Sequence, residues 1–280
     1  GGSIVVGSGV VFRSDGLLLT SYDLVAGANT VTVSLDDGTT HAGKVLGTDS
    51  ISGLAVVHID HLDLPTAPLA IVMPAPEIGD YTVALGGLAS VDSLSLVRLS
   101  ATAVDVALDG SQRLHGLMQL DGGAPAGTSG GAVIDDAGAV IGIIVDVGTD
   151  NATYAVPIGY ARKIADDILR YGEAKHAWLG IKGVDHTPDL TRSATVSSGS
   201  DAAAARNASG SERSPAPRSS LRTGDHIVGI DGKEVVSMTE LVLELRNHPP
   251  GDDIEIRFLR DDAAFRVTVE LVVRQVGDTT

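Results

Sequence analysis

Gly7-Ser8-Gly9-Val10-Val11-Phe12-Arg13-Ser14-Asp15-Gly16-Leu17-Leu18-Leu19-Thr20 sets two short apolar runs on either side of a Ser-Asp-Gly turn. Asp and Gly tolerate positive φ, so residues 9–13 and 17–20 read as two strands of one hairpin. The pattern repeats outward. Residues 30–35 and 41–46 flank Asp36-Asp37-Gly38, and 132–134 and 140–145 flank Asp135-Asp136-Ala137-Gly138. Further strands are expected at 55–59 and 81–85. Strands spaced this regularly, with no helical period between them, indicate a barrel or sandwich instead of βαβ units.

Composition supports an all-β class. The chain has 280 residues, 43% apolar and only 3% aromatic, with 34 glycines to punctuate short strands; this is enough material for two cores. A formal net charge of −16 repels a phosphate backbone, and no basic cluster interrupts it, so nucleic acid is excluded as a partner. Cysteine is absent, which rules out disulfides and thiolate zinc sites. Neither an H-E-x-x-H pair nor an acidic calcium loop occurs, so no metal and no cofactor are expected. No run of about 18 apolar residues suits a membrane helix. Residues 1–9 read as an excised start, with an export signal or membrane anchor expected upstream.

The period changes at 157–171. Ile158, Ala161, Ile164, Ala165, Ile168 and Leu169 share one helical face, between Pro157 at the start and Gly172 at the stop. Residues 193–220 then collapse to Ala, Ser, Gly, Pro and Arg, a low-complexity insertion expected to bury little. Beyond it, 225–230 reads as a strand. Ser237 and Glu240 announce a helix over 238–247 by a capping box, and 254–260 and 266–273 alternate as half-buried strands.

Chemistry concentrates at Gly127-Thr128-Ser129-Gly130-Gly131. Its glycines allow a tight turn in which the Gly127 and Ser129 amides point to one spot, as an oxyanion hole requires, with the Ser129 hydroxyl as nucleophile. Taken alone, a Gly-Ser-Gly turn is commonplace.

The surrounding sequence resembles the HtrA (Deg) family of trypsin-like proteases along nearly its whole length. The resemblance rests on Gly7-Ser8-Gly9-Val10-Val11-Phe12, Asp15-Gly16-Leu17-Leu18-Leu19-Thr20, Val25-Ala26-Gly27-Ala28, Leu54-Ala55-Val56-Val57, Gln119-Leu120-Asp121, Tyr154-Ala155-Val156-Pro157 and Trp178-Leu179-Gly180-Ile181, in the family's order. It implies a trypsin-like double six-stranded β-barrel over 1–174, followed by a PDZ-like α+β domain over 175–276 that carries the insertion at about 193–220. It also implies an extracytoplasmic location, protein quality control, and assembly as a homotrimer through an N-terminal segment.

Carrying the family's catalytic residues across one at a time exposes a break. The nucleophile position is Ser129, with Gly127 as the second oxyanion-hole amide. The histidine position holds Asp23, and the aspartate position holds Gly53; Asp49 lies four residues too early. A carboxylate with a reference pKa near ~3.9 has little drive to deprotonate an alcohol. Loss of the base and its partner costs on the order of 10⁴ to 10⁶ in rate. Among the other histidines, His58 sits about 17 Å along an extended strand from Gly53 and His41 follows a turn, so neither matches the cleft. The expectation is a pseudoprotease; the rival is a peptidase of low or conditional activity using Ser129 with a non-standard base.

A PDZ-like domain adds a peptide strand beside an edge strand and holds the terminal carboxylate on backbone amides. By resemblance, Trp178, Leu179, Gly180 and Ile181 form that loop, and Leu241, Val242 and Leu245 line the pocket for the last side chain. The groove strand is expected just after Ile181. Polypeptide segments or C-termini are therefore the expected partners, unless this module too is inert.

Overall fold

The computed structural model describes residues 5–70, 76–88, 91–107, 113–125, 127–148, 151–181, 183–186, 193–197, 221–261 and 263–274. The chain divides into two compact units, Gly1–Ala174 and Lys175–Thr280.

The first unit opens with the hairpin β1 (Val10–Arg13) and β2 (Leu17–Ser21), turned at Gly16 with φ +91°. A single helical turn, α1 (Tyr22–Val25), leads to β3 (Thr30–Ser34), β4 (Thr40–Asp49) and β5 (Leu54–Ile59). These strands form one sheet in the order β1-β2-β5-β4-β3. The first lobe thus has five paired strands, one fewer than the six expected. Segment 64–70 runs along β1 in the sixth position, tied by Leu64 N–H to the Ser14 carbonyl (3.1 Å) and Ala67 N–H to that of Val11 (3.0 Å). Pro65 and Pro68 lack the donors a continuous ladder needs, so the segment adheres at intervals instead of pairing throughout.

The second lobe is a closed six-stranded barrel, β10-β11-β8-β7-β6-β9. Its strands are β6 (Tyr81–Leu88), β7 (Val91–Ala107), β8 (Arg113–Asp121), β9 (Ala132–Ile134), β10 (Val140–Val147) and β11 (Ala152–Pro157). Leu18, Val57, Ile59 and Leu64 fill the first lobe, whereas Val97, Leu99, Leu120, Val133 and Ile144 fill the second. Helix α2 (Ile158–Tyr171) packs Ile158, Ala161, Ile164, Ala165 and Ile168 into a cluster shared with Leu19, Leu54, Val56 and Val156. Gly172, at φ +80°, ends the helix by donating its N–H to the Ile168 carbonyl (2.8 Å).

The second unit contains β12 (Ala177–Trp178), β13 (Gly183–His186), β14 (Ser193–Val196), β15 (His226–Ile230), β16 (Lys233–Glu234), α3 (Met238–Leu245), β17 (Asp253–Arg260), β18 (Ala263–Glu270) and β19 (Val272–Val273). The main sheet runs β13-β14-β15-β17-β18, with β16 paired to β15 and β12 paired to β19. One expectation is corrected here. Residues 193–196, read as the start of a poorly buried insertion, form a strand inside the sheet, with Ser193 and Ala194 fully buried and Val196 nearly so. Small side chains suit a strand flanked on both sides. The remainder of the expected insertion, from residue 198, lies outside the described residues.

Candidate functional site

The serine loop is held from the first lobe by one residue. Ser8 donates its backbone N–H to the Ser129 carbonyl (2.7 Å) and its hydroxyl to the Gly127 carbonyl (2.7 Å), and that hydroxyl accepts the Gly87 N–H (2.9 Å). Thr20 Oγ1 in turn donates to the Ser8 carbonyl (2.7 Å). From the barrel side, Gly130 N–H reaches the Ile144 carbonyl (2.7 Å), Ile144 N–H reaches that of Gly131 (2.9 Å), and Gly131 N–H closes onto Thr128 (2.8 Å). Gly127 (φ +91°) and Gly130 (φ +82°) adopt the left-handed conformation this path demands. Ser8 and Thr20 were absent from the sequence reading as loop supports; the small-residue run 7–9, needed where two lobes approach closely, was the signal available.

Ser129 itself is half-buried, and no described residue hydrogen-bonds its hydroxyl. Among the described residues, the Gly127 and Ser129 N–H groups have no backbone acceptor.

The two other positions carried over from the family lie close together. Asp23 sits in the first turn of α1, and the next side chain, Leu24, packs against the serine loop: a Cβ placed on Gly130 would stand 3.0 Å from Leu24 Cδ1. Immediately before Asp23, Tyr22 donates its N–H to the Gly53 carbonyl (2.8 Å). Gly53 has φ +77°, and a Cβ there would stand 2.9 Å from Leu114 Cδ1. Partial desolvation holds the Asp23 carboxyl above the ordinary carboxylate range. The nearby Asp49 is committed elsewhere, accepting the N–H groups of Ile51 (3.3 Å) and Ser52 (3.1 Å) in the turn that leads to Gly53.

The described histidines have partners of their own within each unit. His58 contacts the Asp15 carbonyl (3.1 Å), His41 and His61 pack edge to face, His115 pairs with Asp105 (2.9 Å), and His226 meets Thr195 Oγ1 (2.9 Å). His248 lies 3.8 Å from the Asp231 carboxylate, and the His176 carbonyl accepts the Arg274 N–H. The His186 side chain lies outside the described set. Among the described residues, no cluster of three or more His, Asp and Glu side chains is arranged to hold a metal ion.

A cavity of about 920 Å³ begins beside the serine loop at Gly7, Ser8, Leu24 and Gly131 and continues into the first lobe past Val33 and Leu64. Its walls are mostly aliphatic.

In the second unit the expected groove strand is β13, an edge strand of the main sheet. Gly180 turns the loop before it with φ +73°, and Trp178 Nε1 donates to the Ile181 carbonyl (3.3 Å). Leu179, Ile181, Leu241 and Leu245 are buried together in the core of this unit, whereas Val242 is half-buried.

Residues 7–143 match the model of the trypsin-like peptidase domain and residues 179–271 that of the PDZ domain. A probable periplasmic serine protease do/HhoA-like from Haemophilus influenzae is 30% identical over 278 residues, covering 95% of this chain and 58% of the relative. Periplasmic serine endoprotease DegP of Salmonella typhimurium is 28% identical, covering 96% and 57%. The chain therefore spans rather more than half the length of these curated relatives. Among solved structures, the HtrA-type protease AlgW with tripeptide is 28% identical with a TM-score of 0.77, covering 97% of this chain and 90% of that one. Two domain types in the family's order, a serine loop clamped at the lobe junction and a likeness that covers nearly all of this chain lead to one assignment: this chain belongs to the HtrA/Deg family.

Proposed function

We propose that this protein is a non-proteolytic member of its family, an extracytoplasmic protein that binds polypeptide segments or C-termini and acts as a scaffold or regulator. The observation that carries this reading is the pair Asp23 and Gly53. Where the family's general base and its orienting carboxylate fall, this chain has an acid and a residue without a side chain, and the described histidines of the first unit are engaged with other partners. A hydroxyl with nothing to accept its proton stays a weak nucleophile, however well the oxyanion hole is formed. The extracytoplasmic location is supported by relatives named periplasmic, and peptide binding by the PDZ match and by a structural neighbour solved with a tripeptide. A homotrimer and an upstream membrane anchor belong to the same proposal through the family resemblance.

One observation favours the rival, a peptidase with an unusual base. Desolvation raises the Asp23 pKa, in the direction that strengthens a carboxylate as a base. Fluorophosphonate labelling followed by intact mass separates the two readings. Wild type and Ser129→Ala are both expected to stay unlabelled and to leave casein uncut. Stoichiometric labelling confined to Ser129 would establish the peptidase.

A further inference from the structure

Strand β13 has β14 on one side and, among the described residues, no strand on the other. A ligand strand added at that free edge needs an interval of about 4.7–4.9 Å to β13, with the helix standing off beyond it. Here that interval is filled by the protein itself. The Asp185 carboxylate, on β13, accepts the backbone N–H of Met238, the first residue of α3, at 2.6 Å. The Met238 thioether lies against Gly183: a Cβ on that glycine would overlap Sδ and stand 2.9 Å from Cε. A glycine on the strand and a flexible thioether on the helix let the two elements meet directly.

Asp185 is also the place where a ligand could release this contact. It is exposed, and the hydrogen bond it accepts from Met238 comes from a neutral N–H. The chain as a whole carries −16. A ligand that brings its own cation to Asp185 replaces that neutral partner with a charge-assisted one while freeing the helix to stand away.

Resting on the peptide-binding reading above, we propose that the groove of the second unit selects C-termini carrying an arginine or lysine about four residues before the end. In an antiparallel addition whose last residue lies against Ile181, that side chain comes opposite Asp185. Asp185 is thus a specificity-determining residue, and Met238 is the gate it holds shut.

Fluorescence anisotropy tests this on the full chain with two fluorescein-labelled ten-residue peptides. Both end in a valine carboxylate, and they differ only in arginine or glutamate four residues before the end. The arginine peptide is expected to bind wild type about fivefold more tightly. In Asp185→Ala the two affinities fall within twofold of each other, with the glutamate peptide gaining. Asp185→Asn keeps an acceptor for Met238 without the charge; it loses the preference and leaves both peptides weak. Met238→Ala tightens both alike. Equal binding of the two peptides to wild type, or a preference that survives Asp185→Ala, overturns the inference while leaving peptide binding intact. Absence of saturable binding by either peptide to all four proteins overturns the peptide-binding reading, and this inference with it. The chain has no cysteine, so a Gly183→Cys/Met238→Cys pair reports the closed geometry separately. Disulfide formation in the free protein is expected, and its absence contradicts the gate.

Discussion

Tyr22 donates its backbone N–H to the carbonyl of Gly53 at 2.8 Å, which ties the residue before Asp23 to the glycine at the family's aspartate position. The two segments proposed to correspond to the family's histidine and aspartate positions are thus joined by their backbones. Gly53 nonetheless lies at φ +77°, with Leu114 Cδ1 2.9 Å from any Cβ placed there. Restoring the family's residues should fail structurally before it can succeed chemically. Asp23→His alone is expected to fold like wild type and remain inactive. Gly53→Asp, alone or with Asp23→His, should cost about 2–4 kcal/mol from backbone strain and crowding together, measured by urea unfolding. A double variant of wild-type stability that cuts casein would overturn the strain expected at Gly53 while supporting the assignment of both positions.

Gly130 and Gly138 form an internal comparison, because both have φ near +80°. A Cβ on Gly130 would overlap the Ser8 carbonyl oxygen and Thr20 Oγ1, whereas nothing lies within 4 Å of one on Gly138. Gly138→Ala should cost about 1–2 kcal/mol, the left-handed penalty alone. Gly130→Ala should cost more than about 3 kcal/mol and shift the thermal midpoint accordingly.

Asp225 is 1% exposed and bound by Arg260 through two contacts of 2.7 Å, with the Arg222 N–H adding a third at 2.6 Å. Removing the guanidinium leaves a buried carboxylate without its counter-charge. Arg260→Ala is expected to cost about 3–5 kcal/mol. The loss should fall on the second unit, seen as amide exchange rising on β15 and β17 while β8 and β10 stay protected.

Because desolvation raises the Asp23 pKa, the folded chain holds that proton more firmly than the unfolded chain does. Stability from this group is therefore full below the ordinary carboxylate pKa and falls as pH rises through the raised value. At pH 7 the penalty is fully present. Asp23→Asn should raise the melting temperature modestly at pH 7 and leave it unchanged near pH 3, the effect being small because the residue is exposed. An equal rise at both pH values would point to packing instead of charge.

Hairpins with Asp-Gly turns were legible because turn chemistry is local, and α2 because its five buried residues repeat with one period. β7 was not. Leu94 and Leu96 face outward while Val97 and Leu99 face inward, so apolar residues occupy both faces and the alternation disappears. Register shifts beyond Leu99 and a positive φ at Ala103 break the pattern again. β14 was read only as a short, poor strand over 194–198 at the head of the insertion; the structure sets it at 193–196 and fixes it by tertiary pairing on both edges. At the site, motif order led to Ser129, Asp23 and Gly53, and the structure sets Tyr22, next to Asp23, against Gly53. The Asp185–Met238 contact could not, since it joins residues 53 positions apart through a backbone donor that no side-chain pattern reveals.

Ser8 works as a rivet between two halves of the first unit: one small hydroxyl fastens the segment leading into β1 to a turn and a strand of the other lobe. Selection for that joint alone would preserve a glycine-flanked serine turn long after its reactivity had gone. On the proposed reading, the turn around position 129 answers a mechanical demand, and its presence alone does not mark a working hydrolase.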